Sequence, residues 1–303
     1  MEVLTYKDID QAHHRIRSEV LKTPLISNES INKLTNARVF FKLENLQYTG
    51  SFKLRGATNV ISQLTKHEKS KGVVAYSSGN HAQAVAYASN LRKINSKIIM
   101  PKDAPSIKIN NTKKFGSEII FFDSSNESRE EIAKEIAMIE KRKIIKPYDD
   151  IQTIAGQGTA GKEITEDLKK INIKPDIYLC CCGGGGLIAG TSVYLKKNFP
   201  EVKIYSVEPE NFNDTQLSLL KNRIIENKIN AKSICDALLA PKPGKITFSI
   251  NRELLEGGLS VSEAQVKDSI IQLAEKLKIV VEPGGAVAAA ALLNKKLEFE
   301  NKN

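Results

Sequence analysis

The stretch Asp176–Phe199, DIYLCCCGGGGLIAGTSVYLKKNF, runs from a short β-forming apolar segment through four consecutive glycines, Gly183 to Gly186, into a pattern with helical spacing. A strand that ends in a glycine turn and opens directly into a helix is the junction of a βαβ unit. The same alternation recurs outward from it. GVVAYSS (72–78) leads into NHAQAVAYASNLRK (80–93), and KIIMP (97–101) precedes PSIKINNTKKFG (105–116). EIIFFD (118–123) precedes SREEIAKEIAMIEKR (128–142), and KIYSVEP (203–209) follows the glycine-rich unit. Short continuous apolar strands separated by helices of ten to fifteen residues predict an α/β fold with mainly parallel sheets flanked by helices.

The 303 residues, 41% of them apolar, suffice for one large domain or two intimate ones. No apolar run approaches the ~18 residues of a membrane span, and the first twenty residues have no apolar core of a signal peptide, so a cytoplasmic protein is expected. Cys180, Cys181 and Cys182 are consecutive and Cys235 stands alone, a spacing that suits buried reduced thiols better than a disulfide framework or a zinc site. The net charge of +10 comes from lysines interleaved with acids on helical faces, and only 6% of residues are aromatic. That pattern describes solvated surfaces, so no nucleic-acid or membrane partner is expected; the charge favours anionic small molecules.

Two junctions carry chemistry. Four residues without side chains at a helix start let backbone N–H groups converge on an anion, and the helix dipole favours negative charge there. The run lacks both the GxGxxG and the Gly-Lys-Ser/Thr patterns, so a phosphate monoester suits it better than a dinucleotide or ATP; the alternative is that the glycines only allow close packing. At SSGNHAQAVAYAS (77–89), hydroxyls, an amide and free N–H groups gather at a second helix start. They suit a carboxylate, or serve as a helix cap alone. A third element is Lys53 in GSFKLRGA (50–57), a lysine that directly follows a hydroxyl and a phenyl ring, with glycines on both sides of the stretch. A phosphate cup, a carboxylate cup and one lysine in a small, apolar setting are what an amino acid reacting on pyridoxal phosphate requires.

At this point the chain resembles the fold-type II, tryptophan synthase beta-like pyridoxal-phosphate enzymes of the serine/threonine dehydratase (threonine ammonia-lyase) and serine racemase group. The matching motifs fall in order along the whole chain: TPL (23–25), FKLENLQYTGSFKLRGA (41–57), SSGNHAQAVAYA (77–88), IAGQGT (154–159), GGGGL (183–187), VEPE (207–210) and VEPGGAVAAAAL (281–292). The resemblance implies two domains, a larger one of residues 1–66 and 148–303 and a smaller one of 67–147 that closes over the substrate. It implies that Lys53 is the Schiff-base lysine, that Phe52 packs beside the pyridine, and that Gly183, Gly184, Gly185, Gly186 and Leu187 hold the phosphate. Asn80 would bind the cofactor's 3-oxygen, with Glu282 near its ring. Ser77, Ser78, Gly79 and His81 would receive the substrate carboxylate, and Ser78 would exchange a proton with Cα on the face opposite the lysine.

The implied reaction is elimination of the β-hydroxyl of L-threonine or L-serine, with Lys53 taking the Cα proton, to give a 2-oxo acid and ammonia. Serine racemisation and breakdown of threo-3-hydroxyaspartate are the alternatives, and the implied assembly is a homodimer. Relatives that hold Mg²⁺ or Ca²⁺ align Glu208, Asp214 and the carbonyl of Phe212 with the ligands, and oxygen donors on a bend suit such a hard cation. Two departures stand out. In SICDALLAPKPG (233–244), Cys235 and Ala237 differ from the usual Ala-Asp-Gly version. Relatives also continue into one further strand and a Gly-rich turn whose Ser or Cys faces the pyridine nitrogen, whereas this sequence stops at Asn303. A pyridoxal-phosphate-binding protein of low activity is therefore a further expectation.

Overall fold

The computed structural model describes residues 3–77, 79–123, 126–228 and 231–303. Among them the strands are β1 (Leu25–Ile26), β2 (Phe41–Lys42), β3 (Val73–Tyr76), β4 (Ser96–Pro101), β5 (Glu118–Phe122), β6 (Lys143–Ile144), β7 (Ile177–Cys181), β8 (Lys203–Pro209) and β9 (Gly257–Val261). They form three sheets: a parallel four-stranded one in the order β5-β4-β3-β6, a parallel three-stranded one in the order β7-β8-β9, and the antiparallel pair β1-β2. The backbone near the C-terminus links the pair to the second parallel sheet, since Arg38 N–H donates to the Lys302 carbonyl while Asp176 and Ile177 N–H donate to that of Asn303.

The expected α/β class, with parallel sheets flanked by helices, is what the chain forms. Val73, Val74, Ala75, Ile98, Ile99 and Met100 are fully buried, because β3 and β4 are central and covered by helices on both faces. Each strand-to-helix junction anticipated from the sequence is present. The additional strands escaped the pattern for physical reasons: β1, β2 and β6 are two residues long, and β9 opens on Gly257 and Gly258, which carry no apolar signal. No helix among the described residues is long and apolar enough to cross a membrane.

One helix organises the centre. Ile151–Lys170 carries Gly156, Gly158 and Gly161 on faces that meet two other helices. A Cβ on Gly156 would stand 2.6 Å from the Gly56 Cα, and one on Gly190 would stand 2.3 Å from the Ile154 carbonyl oxygen. The helix Lys53–Ser62 and the helix Gly186–Asn198 therefore pack backbone-close on the same central helix. That contact explains the IAGQGT motif and brings the N-terminus of Lys53's helix and the glycine loop into one region.

Candidate active site

Lys53 is the first residue of its helix, half-buried in the wall of a cavity of about 430 Å³. The lining of this cavity also includes Phe52, Asn80, Leu187, Ala237 and Glu282. Lys53 Nζ donates to the Pro147 carbonyl oxygen at 2.7 Å and lies 5.3 Å from the centre of the Phe52 ring. Burial, uncompensated by any carboxylate, lowers its pKa to about 8. The amine is therefore available as a base or nucleophile near neutral pH.

The glycine loop at the end of β7 comes near it by way of Pro147 and Tyr148, and of the predicted phosphate residues only Leu187 lines the cavity itself. Gly185 has φ +87°, a left-handed value that favours glycine, and a Cβ on Gly184 would stand 2.4 Å from ring atoms of Tyr148. The helix Lys245–Leu254 draws the loop carbonyls outward: Thr247 Oγ1 donates to Gly184 O at 2.7 Å and Asn251 Nδ2 to Gly185 O at 3.4 Å. Asp149 fixes that helix by accepting from the Ile246 N–H at 2.7 Å. Among the described residues no acceptor meets the N–H groups of Gly183, Gly184 or Gly185. Open amides at the start of Gly186–Asn198, beside a neutralisable lysine, fit the phosphate and aldehyde of pyridoxal phosphate.

The second cup lies at the start of the helix Asn80–Leu91. Ser77 N–H donates to Ile99 O, and Gly79 N–H to Ser77 Oγ at 3.1 Å, so these amides are already engaged. Ser78, expected to exchange a proton with Cα and to bind substrate, lies outside the described residues. Asn80 Nδ2 donates to Glu282 Oε1, which joins the turn to the opposite wall. The buried His81 ring points away from this cup. Its Nε2–H meets Ile145 O at 2.9 Å, its Nδ1 has no partner, and burial together with the charge of Lys53 lowers its pKa to about 3. His81 is thus a neutral imidazole, and what it offers a carboxylate is its backbone N–H.

Behind Lys53, Arg55 is fully buried between Glu44 and Glu163, with four contacts of 2.7–2.8 Å. Lys42 Nζ adds a 2.6 Å contact to Glu163. Arg55, Tyr148, Thr247, Asn251 and Lys108 went unassigned in the sequence. Thr247 and Asn251 do show a readable four-residue spacing, but nothing local says what their face meets.

Glu208 and Asp214 come together, fully buried, as the sequence reading of a cation site requires. Glu208 accepts from the N–H groups of Thr215 and Gln216 at 2.9 and 2.8 Å. Asp214 Oδ1 accepts from Asn227 at 2.6 Å, while its Oδ2 has no partner. Burial raises both carboxyls, Asp214 to about 7, and Asp214 raises Glu208 further. Phe212 ends the preceding turn, Glu210–Phe212. The described residues hold no cluster of three His, Cys, Asp or Glu, so a cation here would rely on the two carboxylates plus carbonyl or water oxygens. The orphaned buried oxygen fits that role. As for the thiols, Cys180, Cys182 and Cys235 are buried and none is paired; burial holds Cys181 and Cys235 at about 11, so they are inert.

These features have counterparts in known proteins. Residues 16–303 match the family described as "Pyridoxal-phosphate dependent enzyme", and the chain belongs to it. It is 40% identical over 303 residues to a serine racemase of Dictyostelium discoideum, covering all of this chain and 91% of that protein. It is 39% identical, with the same coverage, to an L-threo-3-hydroxyaspartate ammonia-lyase of Saccharomyces cerevisiae. The solved structure of maize serine racemase superposes with a TM-score of 0.93 at 36% identity, over 98% of this chain and 88% of the other.

Proposed function

We propose that this chain acts on small 3-hydroxy amino acids by withdrawing the Cα proton, with serine racemisation and ammonia release from L-threo-3-hydroxyaspartate as its principal activities. Dehydration of L-threonine or L-serine, the activity the motifs alone put first, ranks behind them, because relatives 40% and 39% identical over the full chain carry the other names. The observation that carries the reading is the Lys53 amine, lowered to about 8 and set in one cavity with Asn80 and Glu282.

In this reading Gly183 to Gly186 and Leu187 hold the phosphate through backbone amides, and Phe52 packs on the pyridine. Asn80 gives one amide hydrogen to Glu282 and would offer the other to the cofactor's 3-oxygen. Bound there, pyridoxal phosphate supplies a sink for the electrons left at Cα. Lys53 Nζ takes the Cα proton and the cup at 77–81 fixes the carboxylate, so that the Cα–H bond faces the amine. Ser78 would return a proton from the other face in racemisation; without that return, the β-hydroxyl leaves as water, and hydrolysis of the released enamine gives the 2-oxo acid and ammonia. Glu208, Asp214 and the Phe212 carbonyl would hold Mg²⁺ or Ca²⁺. Residues 67–147 form the smaller, closing domain against 1–66 and 148–303, and two copies form a homodimer.

The test is to supply pyridoxal phosphate and then each of L-serine, L-threo-3-hydroxyaspartate and L-threonine, with chiral and oxo-acid analysis. D-Serine, or oxo acid chiefly from hydroxyaspartate, is expected, and Lys53→Ala abolishes both. Fastest turnover of L-threonine would return the dehydratase reading to first place. Activity that survives Lys53→Ala would remove Lys53 as the base.

A further inference from the structure

Lys108 stands on the helix Ser106–Lys114, between β4 and β5, yet its ammonium belongs to the opposite wall of the cleft. Its Nζ pairs with Asp236 Oδ2 at hydrogen-bond length and lies 3.7 Å from Glu282 Oε2. The side chain is only 13% exposed, so this is not a loose surface pair. On its way across it lies along the anion-receiving turn, with Cδ and Nζ both 3.1 Å from where a Cβ on Gly79 would stand. Its own helix is tied to the helix Asn80–Leu91 by Asn111 Nδ2 donating to Gln83 Oε1 at 3.1 Å. On the far side, Asp236 opens the turn Asp236–Leu238, whose Leu238 Cα lies 3.2 Å from the position of a Gly183 Cβ. Glu282 is the residue that also accepts from Asn80.

Three groups that must keep register thus converge on one ammonium: the turn at Gly79–Asn80, the residue behind the glycine loop, and the carboxylate that orients Asn80. We propose that Lys108 is a positioning residue, holding the turn Gly79–Asn80 against the glycine-loop wall so that a substrate carboxylate meets the backbone amides that open the helix Asn80–Leu91 in a fixed place. The inference rests on the reading of that turn as the carboxylate cup. A partly desolvated, charge-assisted contact suits the task because it is strong yet can break when the cleft opens.

The test compares Lys108→Met, which keeps the length and removes the charge, with Lys108→Arg, which keeps the charge. The readouts are hydrogen exchange without any amino acid, and steady-state kinetics with pyridoxal phosphate bound. In Lys108→Met, peptides covering 79–83 and 235–240 should exchange about tenfold faster. KM should rise about tenfold while kcat stays within about threefold. Lys108→Arg should restore most of both, and adding Asp236→Asn to Lys108→Met should change little more, because the pair is already broken. Unchanged exchange in Lys108→Met overturns the proposal whatever the activity, as does a full additional effect of Asp236→Asn. Faster exchange in a protein that turns over none of the tested amino acids would support Lys108's role while refuting the proposed substrates.

Discussion

The lowered pKa of Lys53 has a measurable consequence that needs no substrate. With an ordinary value of 10.5, about 0.3% of a lysine is neutral at pH 8, whereas at a pKa of about 8 roughly half of Lys53 is neutral, an advantage on the order of 150-fold. The protein free of cofactor, exposed briefly to pyridoxal phosphate and then borohydride and digested for mass mapping, should be labelled first at Lys53. The initial rate at Lys53 should climb about tenfold per pH unit up to pH 8 and then level, while exposed lysines keep climbing towards 10.5. Stability should follow the same group. The unfolded chain binds the extra proton between pH 8 and 10.5, so stability rises with pH across that window, and below pH 8 the cost of burying the cation is fully present. Lys53→Met should therefore melt higher than the unsubstituted protein at pH 7, with the difference shrinking by pH 10. A labelling profile for Lys53 that inflects near 10, or labels spread evenly over the lysines, would refute the assignment of burial as the cause.

Further consequences concern the rest of the site. Gly184→Ala places a methyl group 2.4 Å from the Tyr148 ring, and should weaken cofactor binding at least about tenfold, read by titration, and lower the melting temperature as the ring is displaced. Arg55→Met leaves Glu44 and Glu163 buried without their shared cation, a loss of roughly 3–5 kcal/mol and on the order of 10 °C in melting temperature; a shift under 2 °C would show that the network contributes little. For the Glu208–Asp214 pair, the raised folded pKa of Asp214 means that stability falls as pH rises towards about 7, where a charge is forced on the buried pair. Added Mg²⁺ or Ca²⁺ should relieve that cost, so the melting increase should be larger at pH 8 than at pH 6 and vanish in Asp214→Ala. An equal increase in Asp214→Ala would remove the cation from this site.

What could be read in the sequence was whatever is local. β3, β4, β7 and β8 are short runs rich in β-forming apolar residues, and the helices after β3 and β7 begin at glycine turns, so strand, turn and helix appear in a single window. Lys53, Asn80, Leu187 and Glu282, which line one cavity, sit in motifs that the family resemblance singles out, and the run Gly183 to Gly186 stands out as four residues without side chains at a helix start. The supporting groups are different. Tyr148, Thr247 and Lys108 reach the site through long-range contacts, Thr247 to Gly184 across 63 positions and Lys108 to Asp236 across 128. The spacing of a lysine within PSIKINNTKK carries no record of the acid it will meet. His81 shows the opposite limit: its place in the motif was plain, but the direction of its ring depended on Ile145, which belongs to another segment.

The Arg55 network bears on why Lys53 can be tuned by burial alone. A buried arginine two residues along the same helix would, by itself, push the lysine's proton off much harder, and a buried carboxylate would hold it on. Here two cations, Lys42 and Arg55, face two carboxylates, Glu44 and Glu163, at contacts of 2.6–2.8 Å. Their fields largely cancel at any distance beyond the cluster, and desolvation is the only cause of the Lys53 shift. The cluster thus anchors the chain on either side of Lys53, at Glu44 and Arg55, to the central helix without imposing a charge on the reactive amine. Glu163→Gln would break that balance while leaving much of the packing in place. The uncompensated positive charge would then lower the Lys53 pKa below about 8, so the labelling profile of that variant should level at a lower pH than that of the parent protein.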